Sequence, residues 1–143
     1  MAEPLCGTYY PSIDSKGRMA FPNKLRDILG PEFFIVPGKG GKYLSVYSPE
    51  EYDIFMGKLN TITGIQGEAA RRYYIAKSDK QTSDKQGRIF TKDYLREYAE
   101  ITDEVVVIGA SYKAEIWSKA NWEEYNNSIS MADIDAALAD LVL

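Results

Sequence analysis

The sequence predicts an α+β fold: two βαββα-type repeats interleaved into one closed β-barrel, with short flanking helices and a helix at the C-terminal end. Three observations carry this. Residues recur in fixed register at an offset of 70. Each copy spells the same order of elements. Neither copy is long enough to bury a core alone, whereas the full 143 residues can bury about 70% of the unfolded chain's surface.

The recurrence starts at a turn. Asp14-Ser-Lys-Gly17-Arg18 lies over Asp84-Lys-Gln-Gly87-Arg88. The register continues without a gap through Leu25-Arg26 over Leu95-Arg96, Val46-Tyr47-Ser48 over Ile116-Trp117-Ser118, Tyr52 over Trp122, and Phe55 over Tyr125. The chain divides into a first repeat (residues 5–60), a connector helix (61–74), a second repeat (75–128) and a helical tail (129–143), all in one intertwined unit.

Each copy opens on a short strand, Thr8-Tyr9-Tyr10 and then Ile75–Lys77, that leads into the Asp-x-x-Gly-Arg turn. Asp at the first corner and a Gly free to take positive φ are hairpin chemistry. Second strands follow at Arg18–Phe21 and Arg88–Thr91. In copy one Pro22 begins a helix and Gly30 ends it. In copy two Thr91 serves as N-cap for a helix from Lys92 to about Ala99. Phe33–Val36 and Val105–Ile108 are continuously apolar, as strands buried on both faces are. The strands Tyr43–Tyr47 and Ala114–Trp117 come next. Ser48-Pro49-Glu50-Glu51 is a capping box for a helix ending near Leu59, and Ser118 opens its equivalent. Between the copies, residues 66–75 are helical at least up to Arg72. Residues 130–142 place Met131, Ile134, Leu138, Leu141 and Val142 at helical spacing behind a Ser130–Asp133 cap. Two readings of this tail stand: it covers the core of its own subunit, or it packs against another.

Composition narrows the chemistry. Histidine is absent and Cys6 is the single cysteine, so intramolecular disulfides, Cys/His zinc sites and Ser-His-Asp or Cys-His catalysis are excluded. Neighbouring acids such as Glu50-Glu51 and Glu123-Glu124 point apart on a helix and do not converge on a substrate. The expectation is a binding protein without metal, cofactor or catalysis. No apolar run approaches the roughly 20 residues of a membrane span, and Met1–Tyr10 lacks a basic start leading into an apolar stretch. A cytoplasmic protein is expected.

The net charge of −4 and pI of about 4.9 argue at first against a nucleic-acid partner. The distribution answers that. Residues 1–60 hold 7 basic and 7 acidic side chains, 61–100 hold 8 and 6, and 101–143 hold 2 and 8. Residues 14–26 are net +3 and residues 71–96 net +5. The motif-bearing segments are basic within an acidic chain.

The two motif copies, Arg71-Arg72 between them, and Glu115-Ile-Trp-Ser118 together resemble the MraZ family of bacterial transcriptional regulators, over residues 5–128. The resemblance implies the double-split β-barrel of AbrB-like DNA-binding proteins. It also implies a cytoplasmic, nucleoid-associated homo-oligomer, such as a ring, that binds double-stranded DNA with short repeated elements. The promoter implied is that of the division and cell-wall gene cluster. The resemblance implies neither a cofactor nor a membrane. The second copy departs from the family pattern, with Thr91-Lys92 where Ile-Pro is usual.

Arg18 and Arg88 are placed to bridge guanine O6 and N7 from a two-stranded ribbon. Lys16 and Lys85 at the turn tips suit phosphate. Asp14, Gly17, Asp84 and Gly87 organise the loops. The plain alternative is that each Asp–Arg pair is only a hairpin ion pair. Arg71 and Arg72 read equally as a second phosphate-contacting site or a solvated helix face. Tyr47, Tyr52, Trp117 and Trp122 recur in both halves and favour core packing over base stacking. A second functional reading is an AbrB-like antitoxin or interaction module whose C-terminal helix binds a partner protein.

Overall fold

Eight strands and six helices form from residues 3–143, the part described by the computed structural model. Met1 and Ala2, which begin the stretch read for a leader, lie outside it. The first half runs β1 (Thr8–Tyr9), β2 (Arg18–Ala20), α1 (Asn23–Leu29), β3 (Glu32–Pro37), β4 (Tyr43–Tyr47) and α2 (Pro49–Leu59). Then α3 (Gly64–Lys77) leads to β5 (Asp79–Thr82), β6 (Arg88–Phe90), α4 (Asp93–Tyr98), β7 (Val105–Gly109), β8 (Ala114–Ser118) and α5 (Lys119–Ser128). Last comes α6 (Met131–Leu138).

The strands make two antiparallel sheets, one of six in the order β1-β7-β8-β4-β3-β5 and a ribbon of β2 with β6. The halves are interleaved at every level. β1 adds to β7 of the other half (Thr8↔Ile108), β5 adds to β3 (Phe34↔Lys80), and β4 with β8 forms the central seam (Leu44↔Ile116). In the ribbon Met19 faces Ile89.

Alternation decides which side chains meet. Phe33 and Ile35 of β3 enter the main core, together with Leu44, Val46, Val107 and Ile116 of their sheet. Met19 and Ile89 of the ribbon, Leu25 and Leu29 of α1, and Leu95 of α4 close over them. Phe34 and Val36 point the other way, into a smaller cluster with Tyr47, Tyr52 and Phe55. That is why the run is apolar throughout. The recurring aromatics pack: Phe34 stacks on Tyr52 with centroids 3.8 Å apart, Tyr43 on Trp117 at 4.8 Å, and Trp122 meets Trp117 edge-on at 5.3 Å.

Four local expectations are corrected. Ile75–Lys77 are the end of α3, not a strand. Tyr74 packs edge-on against Phe55 of α2 at 5.1 Å, and the Ser78 hydroxyl donates to the Tyr74 carbonyl at 2.6 Å, which carries the helix on to Lys77. The strand begins at Asp79, where the offset of 70 places the counterpart of Tyr9. Pro22 is the N-cap of α1 and not its first helical residue. Thr91 does not cap α4. It is fully buried, and its N–H and hydroxyl both donate to the Gly17 carbonyl at 2.8 Å. Finally, α6 has its Ser130–Asp133 capping box but stops at Leu138 and buries no residue. Its stripe does not cover the core of its own subunit, since Met131 is 68% and Leu141 59% exposed.

Candidate nucleic-acid interface

Each Asp-x-x-Gly-Arg loop is tied by its own aspartate. Asp14 Oδ1 accepts from the backbone N–H groups of Lys16 and Arg18, both at 2.9 Å, and Oδ2 accepts from Arg18 Nε at 2.9 Å. In the second loop Asp84 accepts from Gln86 N at 2.9 Å, and from Arg88 N and Nε at 2.8 Å each. Gly17 and Gly87 close the turns with φ of 90° and 75°, conformations that a side chain disfavours. The backbone N–H of the following arginine, and then its guanidinium, hold the carboxyls of Asp14 and Asp84 below the ordinary aspartate range. Both ion pairs are about 40% exposed, at 42%/41% and 39%/39%. Their use is orientation more than stability.

The bond through Nε fixes each guanidinium and leaves Nη1 and Nη2 without an acceptor among the described residues. The ribbon then sets both forks on one surface. Arg18 pairs with Phe90 and Ala20 with Arg88, while Met19 and Ile89 between them point into the core. Arg18 and Arg88 therefore share the outer face, offset by two residues or about 7 Å of strand. Lys16 and Lys85 are exposed in the adjoining turns.

The loops are also wired crosswise. Phe21 N–H donates to the Gly87 carbonyl at 3.2 Å, and Thr91 N–H to the Gly17 carbonyl. Arg26 lies against Gly87 and Arg96 against Gly17. Neither arginine stands out in the sequence as a site residue; the recurring Leu-Arg pair is the signal that points to them. Lys92, standing in the place of the usual proline, pairs with the buried Asp79 at 3.0 Å. The loop geometry is nonetheless the same in both copies.

Arg71 and Arg72 lie on another element. α3 packs on α2 and β3, and Arg71 Nη1 donates to the carbonyls of Leu59 at 3.1 Å and Ile62 at 2.7 Å, satisfying the end of α2. Arg72 is exposed. Among the described residues no group of three or more His, Cys, Asp or Glu could hold a metal, and no helix is long and apolar enough to cross a membrane.

Comparison with known proteins gives a consistent result. The family described as "MraZ protein, putative antitoxin-like" matches residues 5–72 and 75–143. A protein of Finegoldia magna named transcriptional regulator MraZ is 40% identical over 139 residues, covering 94% of this chain and 96% of its own. Proteins of the same name match from a Thermoanaerobacter species, 41% identical with 96% and 98% covered, and from Dictyoglomus thermophilum, 35% identical with 94% and 96% covered. These relatives are named as regulators, not as enzymes.

Proposed function

The chain belongs to the MraZ family, and from that premise we propose that it is a sequence-specific DNA-binding transcriptional regulator. It reads DNA through its two Asp-x-x-Gly-Arg loops. The observation that carries the reading is the ribbon: two Asp–Arg loops with the same hydrogen-bond pattern, 70 residues apart in sequence, present both guanidinium forks on one outer face. Arg18 and Arg88 are assigned to base edges, and Lys16 and Lys85 to phosphates. Arg72 is assigned to a phosphate alongside Arg71, whose remaining donors are available for the same purpose. Asp14 and Asp84 hold the forks. The two sheets sharing one core are read as the double-split barrel. The proposed target is repeated elements in the promoter of the division and cell-wall gene cluster, bound by a homo-oligomer in the cytoplasm at the nucleoid.

The test is a binding titration of Arg18→Lys and Arg88→Lys on cognate and scrambled duplexes, with melts alongside. Lysine keeps the charge and loses the fork. A loss of about 1–3 kcal/mol on the cognate site, and much less on scrambled DNA, is expected. Unchanged cognate binding in both variants, with stability intact, removes these arginines from base readout.

A second reading has one observation in its favour. The exposed apolar stripe of α6 suits an antitoxin-like module whose tail engages a partner protein. Sequencing DNA fragments that the protein retains from its host genome separates the two, since the second reading predicts no enriched site.

A further inference from the structure

The Leu-Arg pairs of α1 and α4 have a purpose that the loops alone do not reveal. Leu25 and Leu95 are fully buried and fix the two helices against the core. The adjoining arginines reach across to the other repeat. Arg26 Nε donates to the Phe21 carbonyl at 3.0 Å, and its guanidinium covers Gly87. A Cβ on that glycine would overlap Nη1 and lie 2.5 Å from Cζ. Arg96 Nη1 donates to the Thr91 carbonyl at 2.6 Å and covers Gly17 in the same way, 2.7 Å from such a Cβ at Cζ.

The two arginines differ in one respect. In copy two, Asp93 accepts from Arg96 Nη2 and neutralises it, with the arginine side chain 15% exposed. The equivalent position in copy one is Asn23. Arg26 has no carboxylate partner among the described residues, and its Nη1 and Nη2 have no acceptor there either. A cation without a counter-ion sits directly over the turn of the second loop.

We propose that Arg26 is a phosphate-contacting residue of the 84–88 loop, supplied by the opposite repeat, and that Asp93 withholds Arg96 from the same role at the 14–18 loop. This rests on the DNA-binding reading above. It makes the loops unequal through one residue, Asn23 against Asp93, although their own geometry is alike. A phosphate contact shows itself in the salt dependence of binding, at about 0.9 in the log–log slope for each phosphate neutralised, and any mixed-sequence duplex reports it.

The experiment measures that slope on a mixed-sequence duplex. Arg26→Gln should make it shallower by about 0.9 for each chain engaged, and Arg26→Lys should leave it unchanged. Asp93→Asn should make it steeper by a similar amount as Arg96 is released. Glu97→Gln, which removes an exposed charge from the same helix without freeing Arg96, should not. Lys16→Gln and Lys85→Gln, at the residues assigned to phosphates, serve as references. If neither reference changes the slope, the DNA-binding reading itself has failed. If both change it while Arg26→Gln and Asp93→Asn do not, only the present assignment is overturned. Should Arg26→Gln fail to fold, Asp93→Asn decides alone, and an unchanged slope there rejects the proposal.

Discussion

A single aspartate organises each loop, and its ionisation gives the first prediction. Asp14 and Asp84 have carboxyls whose folded-state pKa lies below the ordinary value, chiefly through the arginine backbone N–H. A lowered folded pKa means that the stabilisation is complete above the unfolded value, about 3.9, and is lost as pH falls through the lower folded one. Amide exchange at Lys16, Arg18, Gln86 and Arg88 should therefore show unchanged protection from neutral pH down to about 5, and protection should be lost only in stronger acid. Asp14→Asn keeps an acceptor for both amides and should preserve most of this, whereas Asp14→Ala should release both. The turn glycines give the second prediction. Gly17 and Gly30 have similar φ, 90° and 88°, but a Cβ would meet Arg96 and the Thr91 carbonyl at Gly17 and nothing within 4 Å at Gly30. Gly30, with φ 88° and ψ −174°, lies where essentially only glycine is found, and Gly30→Ala costs backbone strain of about 1–3 kcal/mol. Gly17→Ala should cost clearly more in denaturant titration, because either the arginine or the strand end must move.

The ribbon of β2 and β6 has only three residue pairs, and a two-stranded ribbon is marginal in water. Its stability comes from below and from its ends. Met19 and Ile89 are 1% and 2% exposed in the main core, and Phe21 and Thr91 clamp the opposite loops. Met19→Ala should cost about 2–5 kcal/mol and weaken DNA binding at both loops together, measured by melting and by titration on one preparation. Thr91→Val removes one of two bonds to the Gly17 carbonyl and should cost about 0.5–1.5 kcal/mol. Local signals made much of this legible. The Asp-x-x-Gly-Arg turns, the apolar run of β3 and the serine caps of α2, α5 and α6 each depend on a few neighbouring residues. What the sequence did not disclose depends on distant partners. Thr91 reads as a cap from its neighbours, and only Gly17, 74 positions away, makes it a buried clamp. α3 outruns its sequence signal because Phe55 lies beside Tyr74. The roles of Arg26 and Arg96 need both halves folded together.

The acidic surplus of the whole chain lies after Glu100, and α6 carries part of it as Asp133 and Asp135 beside an open apolar stripe. Because α6 buries nothing, deleting residues 129–143 should leave the melting temperature within about 2 °C. If the stripe lies between copies, light scattering should show a smaller assembly. Assembly matters for affinity. One chain offers few cations, Lys16, Lys85, Arg71, Arg72 and Arg26 with Arg18 and Arg88 at most, and at about 0.9 per phosphate these give a log–log salt slope of about −6 at most. A steeper slope requires several chains aligned along repeated sites. Each further loop then binds at an effective concentration set by the assembly, so affinity rises without a new kind of contact. Duplexes with one and with three repeats, titrated from low to moderate salt, should differ in both affinity and slope, with the three-repeat duplex tighter and steeper. Equal affinity for the two would mean that a single chain engages DNA alone. The ribbon would then have to supply all the specificity from two guanidinium forks.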